Sequence, residues 1–206
     1  MIVTFDLGTT RLKVAAFDLD GNLLGQIAIR NTEYQDGKKR WQSADDWWRN
    51  CVEGFRKLIA EKNLDTSEIK GFSLSGRAGA AVFVDRNGKV LVQPWSDTRH
   101  VPELKSYLKN QDLPLYAATL MAKYKWLASN QPELADQTHL LLYAKDFLLY
   151  RLAGVSVTDP ASGPDGSTWP TSDLPTSILP NSQLPWTIAG ELKTEAAHSL
   201  ACQPGI

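Results

Sequence analysis

Three short β-rich runs stand in succession at the start of the chain: "IVTFD" at 2–6, "RLKVAAFD" at 11–18 and "NLLGQIAIR" at 22–30. The first two are separated by a Gly-Thr-Thr turn, and the last two by Asp20-Gly21. Turn signals between β-rich runs specify an antiparallel meander. That opening constrains everything after it, because a half-built sheet needs further strands and a covering helix to bury its apolar face.

The covering helix is legible next. Ser43, followed by Asp46, resembles a capping box. Trp47, Trp48, Cys51, Val52, Phe55, Leu58 and Ile59 then recur at helical spacing. "IKGFSLSG" at 69–76 reads as a strand ending in a glycine loop. "AAVFVD" at 80–85 and "KVLVQPW" at 89–95 form a hairpin around "RNG". A helical region is expected from about Pro102 to Gly154, broken near Pro114 and Pro132. From Val155 the chain turns rich in Pro, Ser, Gly and Asp and reads mostly as loop, with a weak helical pattern in "GELKTEAAHSL". The expected fold class is α/β, a mixed sheet flanked by helices, and the order strand-strand-strand-helix-strand matches the ribonuclease-H-like core.

Composition narrows the function classes. With 206 residues, 43% of them apolar, and a formal net charge of −1, the chain suits a globular domain with a real core. No block of Lys and Arg stands ready to neutralise phosphates, which argues against nucleic acid as a partner. No segment approaches the roughly 20 apolar residues of a membrane span, and the N-terminus shows no signal-peptide pattern. Cys51 and Cys202 lie far apart, and Cys51 falls on the apolar helix face. A buried free thiol and a reducing cytoplasm are the expectation.

The stretch "FDLGTTRLKVAAFDLDG" carries the chemistry. Gly8 permits backbone geometry that a side chain would block. Thr9 and Thr10 offer hydroxyl and amide donors at a tight turn, which suits phosphate oxygens. Asp6 at the strand end suits a hydrated Mg²⁺, and Lys13 adds a charge nearby. An ordinary hairpin turn with a solvated Asp is the competing reading. Neither a Walker A loop nor a G-x-G-x-x-G occurs.

The same stretch resembles the first phosphate motif of the FGGY carbohydrate kinases, the family of xylulokinase, ribulokinase and glycerol kinase. "RWQSADDWW" resembles the family's approach to its first long helix. "KGFSLSGRAGAAVFVDRNGKVLVQPWSDTRH" resembles its strand, sugar loop, hairpin and W-x-D-x-R segment. "KYKWLASNQPEL" and "LLYAKDFLLYRLAG" resemble the helices that follow. Ordered matches in succession are far more specific than any one of them.

The resemblance implies an ATP-dependent kinase of small sugars or polyols. Asp6 would organise Mg²⁺, while Gly8, Thr9, Thr10, Arg11 and Lys13 would lie along the ATP phosphates. Arg77 and Ala78 fall where relatives place sugar contacts, and Asp97 would line or brace that pocket. Without the family, Arg77 reads as a surface arginine and Asp97 as a capping or ion-pairing residue. Ala78 departs from the pattern, since relatives often carry His or Glu there. Asp159 and Asp165 are rival equivalents of a further acid. Relatives are also much longer, with two such domains around a cleft and a catalytic aspartate at the opening of the second. Residues 1–206 are therefore expected to be the N-terminal, sugar-binding domain, inactive alone, with the base beyond Ile206. The face bared by the missing domain would be apolar and could drive self-association. The rivals are a stand-alone sugar-binding module and an actin-like or chaperone-like ATPase.

Overall fold

The computed structural model describes residues 1–110, 115–160 and 175–206. The meander forms as expected. β1 (Ile2–Leu7) pairs antiparallel with β2 (Arg11–Phe17), and β2 with β3 (Leu23–Arg30). Alternation explains it: Val3, Phe5 and Leu7 of β1 and Leu12, Val14 and Ala16 of β2 are buried, while the intervening residues point to the opposite face. The turn before β3 is built by Asp18, whose Oδ1 accepts from the Asp20 and Asn22 amides at 3.0 and 2.8 Å. Gly21 supplies the left-handed backbone there (φ 88°).

A second hairpin follows, β4 (Glu33–Asp36) with β5 (Lys39–Gln42). The sequence reading did not anticipate it. Its strands are mostly exposed and charged, so they carry no apolar alternation to read. α1 (Ala44–Lys62) starts where expected, with Ser43 Oγ accepting from the Asp46 amide at 3.2 Å. It lays Trp47, Cys51, Phe55 and Leu58 on the meander. At Gly54 a Cβ would come within 2.8 Å of Val14 Cγ2, so the glycine permits close approach of helix to sheet.

The chain then returns as β6 (Gly71–Gly76), which pairs parallel with β1 from Ile2↔Gly71 to Leu7↔Gly76. The sheet order is β3-β2-β1-β6. Because β1 and β6 run the same way, both end at one edge of the sheet.

A smaller antiparallel sheet comes next. β7 (Val82–Val84) and β8 (Val90–Val92) are the expected hairpin. The region expected to be helical holds α2 (Val101–Asn110), α3 (Leu115–Asn130) and α4 (Pro132–Gln137), but then departs from expectation. Leu140–Leu142 is a strand, β9, antiparallel to β7. The His139 amide donates to the Val84 carbonyl at 2.8 Å. Three consecutive leucines fit a buried strand or a buried helix equally, and the partner strand decides. α5 (Ala144–Ala153) resumes the helical reading. The short parallel pair β10 (Val157–Thr158) and β11 (Asn181–Ser182) and then α6 (Thr194–Leu200) complete the described elements.

Two cores result. One joins the first sheet to α1, α5 and α6 through residues such as Phe5, Phe55, Phe147 and Leu200. Cys51 lies in it as a free thiol, 2% exposed, and burial pushes that thiol's pKa up. The other gathers Phe83, Trp95, Met121 and Leu141 around α3.

Lys123, 3% exposed, sits beside the second core and donates from Nζ to the carbonyls of Gly79 and Trp95, each at 2.8 Å. Burial, with Arg77 and Arg99 adding to it, lowers its pKa to about 7. The unfolded chain keeps that proton up to about pH 10.4. Between those values the unfolded state binds more protons, so the free energy of unfolding rises with pH. Denaturant unfolding from pH 7 to 10 should therefore show stability increasing, and Lys123→Met should flatten that slope. An identical slope in the variant would contradict the assignment.

Candidate active site

The loop after β1 is held from beneath by its own backbone and two buried carboxamides. The Gly8 amide donates to the Asp6 and Arg11 carbonyls, each at 3.1 Å. A Cβ at Gly8 would stand 3.0 Å from the Arg11 oxygen, which is why glycine closes this turn. Asn31 Nδ2 donates to the Gly8 carbonyl and Gln42 Nε2 to the Thr9 carbonyl, both at 2.9 Å. Thr9, Thr10, Arg11 and Lys13 stay exposed above that floor.

Asp6 and Lys13 face each other across the β1–β2 register, with Oδ2 to Nζ at 3.7 Å. Their side chains are 47% and 61% exposed, so the pair is loose and solvated. Among the described residues no cluster of three or more His, Cys, Asp or Glu is arranged to hold a metal. Asp6 stands as a single carboxylate beside the loop.

The loop after β6 begins at the same edge. The Arg77 amide donates to the Leu7 carbonyl at 2.9 Å. The Arg77 guanidinium lies over the Trp47 ring, 5.4 Å from its centroid. Its Nε is buried and has no hydrogen-bond partner among the described residues. Burial lowers the Arg77 pKa, and Glu33 opposes that shift. Ala78 is exposed, and Gly79 (φ 74°) turns the chain back under the Lys123 ammonium.

Asp97 is a brace. Its Oδ2 accepts from the Arg40 amide at 2.9 Å, and its Oδ1 from the Arg99 amide and Nε at 3.1 and 2.7 Å. The second Arg99 nitrogen reaches Oδ2. Burial would raise its pKa, but the hydrogen bonds from Arg99 and Arg40 overcome this and hold it at about 2. Arg99 in turn stacks on Trp95 and Trp126. His100 accepts from Trp95 Nε1 at 3.2 Å through Nδ1, and burial lowers its pKa to about 4, so it is neutral at pH 7.

The structure thus brings Asp6, Gly8–Lys13 and Arg77–Ala78 to one edge, while Asp97 is engaged by Arg40 and Arg99. Sequence reasoning missed Asn31, Gln42, Trp47 and Lys123 as the parts that hold both loops. The "RWQSADDWW" stretch contained two of them, but nothing in residue type marked their partners.

A well-formed groove lies elsewhere. It measures about 490 Å³ and follows β6, lined by Ser73, Leu74, Lys145, Asp146, Asp159 and Trp186 among others. Neither the Gly8–Thr10 loop nor Arg77 lines it. Lys145 bridges Asp146 and Asp159, the latter at 2.9 Å. Asp146 is fully buried, and burial raises its pKa against the pull of Lys145. Asp159 therefore belongs to this groove. Asp165 lies outside the described residues. Trp186 and Ile188, 79% and 86% exposed, stand beside the groove.

Known proteins place this architecture. The chain is 26% identical to a xylulose kinase of Bacillus subtilis over 172 residues, covering 77% of this chain and 34% of that protein. It is 25% identical to an erythritol kinase of Brucella abortus, covering 78% of this chain and 33% of that protein. The solved xylulose kinase of Rhodospirillum rubrum matches with a TM-score of 0.84 at 17% identity, over 98% of this chain and 47% of that one. The Plasmodium falciparum glycerol kinase solved with ADP matches with a TM-score of 0.76 at 16% identity, over 98% and 47%. The chain spans about a third of the length of the curated relatives, and its fold is the mixed α/β, actin-like fold of the sugar kinases. Residues 1–164 match the N-terminal domain of the FGGY carbohydrate kinases, and the chain belongs to that family.

Proposed function

We propose that this chain is the sugar-binding lobe of an enzyme that transfers the γ-phosphoryl group of ATP to a hydroxyl of a small sugar or polyol. The observation that carries the reading is the convergence of two loops at one sheet edge, with the Arg77 amide bonded to the end of β1 at 2.9 Å. Relatives bearing the names xylulose kinase and erythritol kinase support the substrate class. Two free cysteines are compatible with a reducing, cytoplasmic setting.

Each residue has a physical role in this reading. Arg77 Nε is a desolvated donor without a partner. A buried donor left unpaired is costly, and a sugar oxygen would satisfy it. Ala78 offers no polar group, so the hydrogen bond that His or Glu gives there in relatives is missing and the sugar is held differently. Thr9 and Thr10 meet phosphate oxygens, with Arg11 and Lys13 supplying charge. Asp97 fixes the wall behind Arg77 without meeting substrate.

Mg²⁺ fits as a companion of the nucleotide. It is commonly held by one or two carboxylates together with substrate phosphates, and Asp6 is one half-exposed carboxylate at the correct edge. Once bound, the ion neutralises charge developing on the phosphates. The exposed Lys13 contact contributes little, so Asp6 is released from it at small cost.

Phosphoryl transfer also needs a carboxylate base and the nucleotide held against the acceptor hydroxyl. We assign those parts to the remainder of the longer protein. Incubated with ATP, Mg²⁺ and a panel of pentuloses, hexuloses and polyols, this chain should release no ADP above background. Sugar-dependent ADP release would overturn the assignment and make Asp159 and Asp165 the first residues to substitute. The second reading, a sugar-binding module without any catalytic parent, predicts the same result for the chain and is separated from the first by assaying the full-length protein.

Sugar binding by the chain itself is measurable by calorimetry. Arg77→Ala should weaken the affinity for the bound sugar about tenfold or more, as expected for a hydrogen bond from a charged group. Unchanged affinity would remove Arg77 from the site.

A further inference from the structure

A continuous path of side chains joins the two loops below the sheet edge. Gln42, 4% exposed, donates from Nε2 to the Thr9 carbonyl at 2.9 Å. Its Oε1 accepts from Trp47 Nε1, also at 2.9 Å. The Trp47 ring, 1% exposed, carries the Arg77 guanidinium on its face at 5.4 Å. A carboxamide can donate to a carbonyl and accept from an indole at the same time, and here it does both. The Gln42 backbone is itself pinned, its amide donating to the Pro94 carbonyl at 3.0 Å.

Asn31 gives an internal contrast. It also supports the loop, donating to the Gly8 carbonyl at 2.9 Å, but its Oδ1 accepts from Asn50 at 3.2 Å. Its hydrogen bonds therefore run toward α1's Asn50 and not to Trp47.

We propose that Gln42 is a positioning residue that, through Trp47, ties the phosphate loop to the sugar-loop arginine, so that an anion at Thr9–Thr10 and a sugar at Arg77 are bound cooperatively. The roles of the two loops rest on the function proposed above, whereas the link between them does not. Gln42 and Trp47, the middle of the path, are buried, and Arg77 is half-buried. Gln42 cannot let go of Trp47 without leaving a buried indole N–H unpaired. A shift of Arg77 toward a sugar oxygen changes the charge on the Trp47 face, hence the indole N–H bond, hence the loop carbonyl. Coupling carried by such contiguous contacts is testable by perturbing one end and reading the other.

The test uses the isotope-labelled chain and nuclear magnetic resonance. Arg77→Met in the otherwise unaltered protein should move the Trp47 indole N–H signal and the amide signals of Thr9 and Thr10. In a Trp47→Phe background, which keeps an aromatic face and loses the N–H donor, the Thr9 and Thr10 signals should no longer respond. Gln42→Leu should do the same, and Trp47→Phe carries the test alone if Gln42→Leu fails to fold. In an Asn31→Ala background the response should persist, which a merely structural role for Gln42 does not predict. A second arm measures D-xylulose affinity with and without tripolyphosphate. The expected gain is about fivefold or more in the unaltered protein, at the lower end of ordinary coupling, and it should vanish in Trp47→Phe. Loop amides that ignore Arg77→Met, or that respond equally in Trp47→Phe, overturn the proposal, as does equal cooperativity in both proteins. If the amides behave as expected and D-xylulose does not bind, the link stands and the substrate reading falls.

Discussion

The parallel pairing of β1 with β6 is the interaction on which the rest depends. A meander alone would place its turns at both ends of the sheet. By returning alongside β1, from Ile2↔Gly71 to Leu7↔Gly76, the chain brings the ends of two strands far apart in sequence to one edge. The first loop supplies glycine and hydroxyls, and the second an arginine. α1 packs against Val14 of β2 and Phe72 of β6, so one helix spans the meander and the returning strand. Trp47, from the first turn of α1, then lies directly beneath Arg77.

That edge is stiffened at a cost. Buried carboxamides, an arginine and a lysine replace apolar packing beneath the loops, and buried polar groups are tolerated only when paired. Asn31, Gln42 and Lys123 are each paired to carbonyls of the loops or of the Trp95 turn. The exception is Arg77 Nε. A buried donor left open among paired neighbours is suited to an incoming acceptor. Ala78, beside it, adds no polar group.

Much of the fold was legible in the sequence because it rests on periodicity and turn chemistry. The alternation of Val3, Phe5 and Leu7, the Asp18–Gly21 turn and the Ser43 cap each have local causes, and each formed as read. The β4–β5 hairpin was not legible because Glu33–Asp36 is wholly exposed, and β9 was not because three leucines carry no period. At the site, Asp6 and the Gly8 loop stood out by residue type and by resemblance, and Arg77 by resemblance alone. Gln42 and Lys123 did not, since a carboxamide or lysine becomes informative only once its partners are known. Asp97, expected to line or brace the pocket, is engaged on both oxygens. The groove along β6 arises from segments distant in sequence, so no local pattern announced it.

The central claim is that substrate meets the shared edge of β1 and β6, and not the 490 Å³ groove along β6. Mapping amide shifts during a D-xylulose titration of the labelled chain tests this most directly. The account predicts that the changes concentrate at Arg77–Gly79 and extend to Gly8–Arg11. Changes centred instead on Ser73, Lys145 and Trp186 would contradict it.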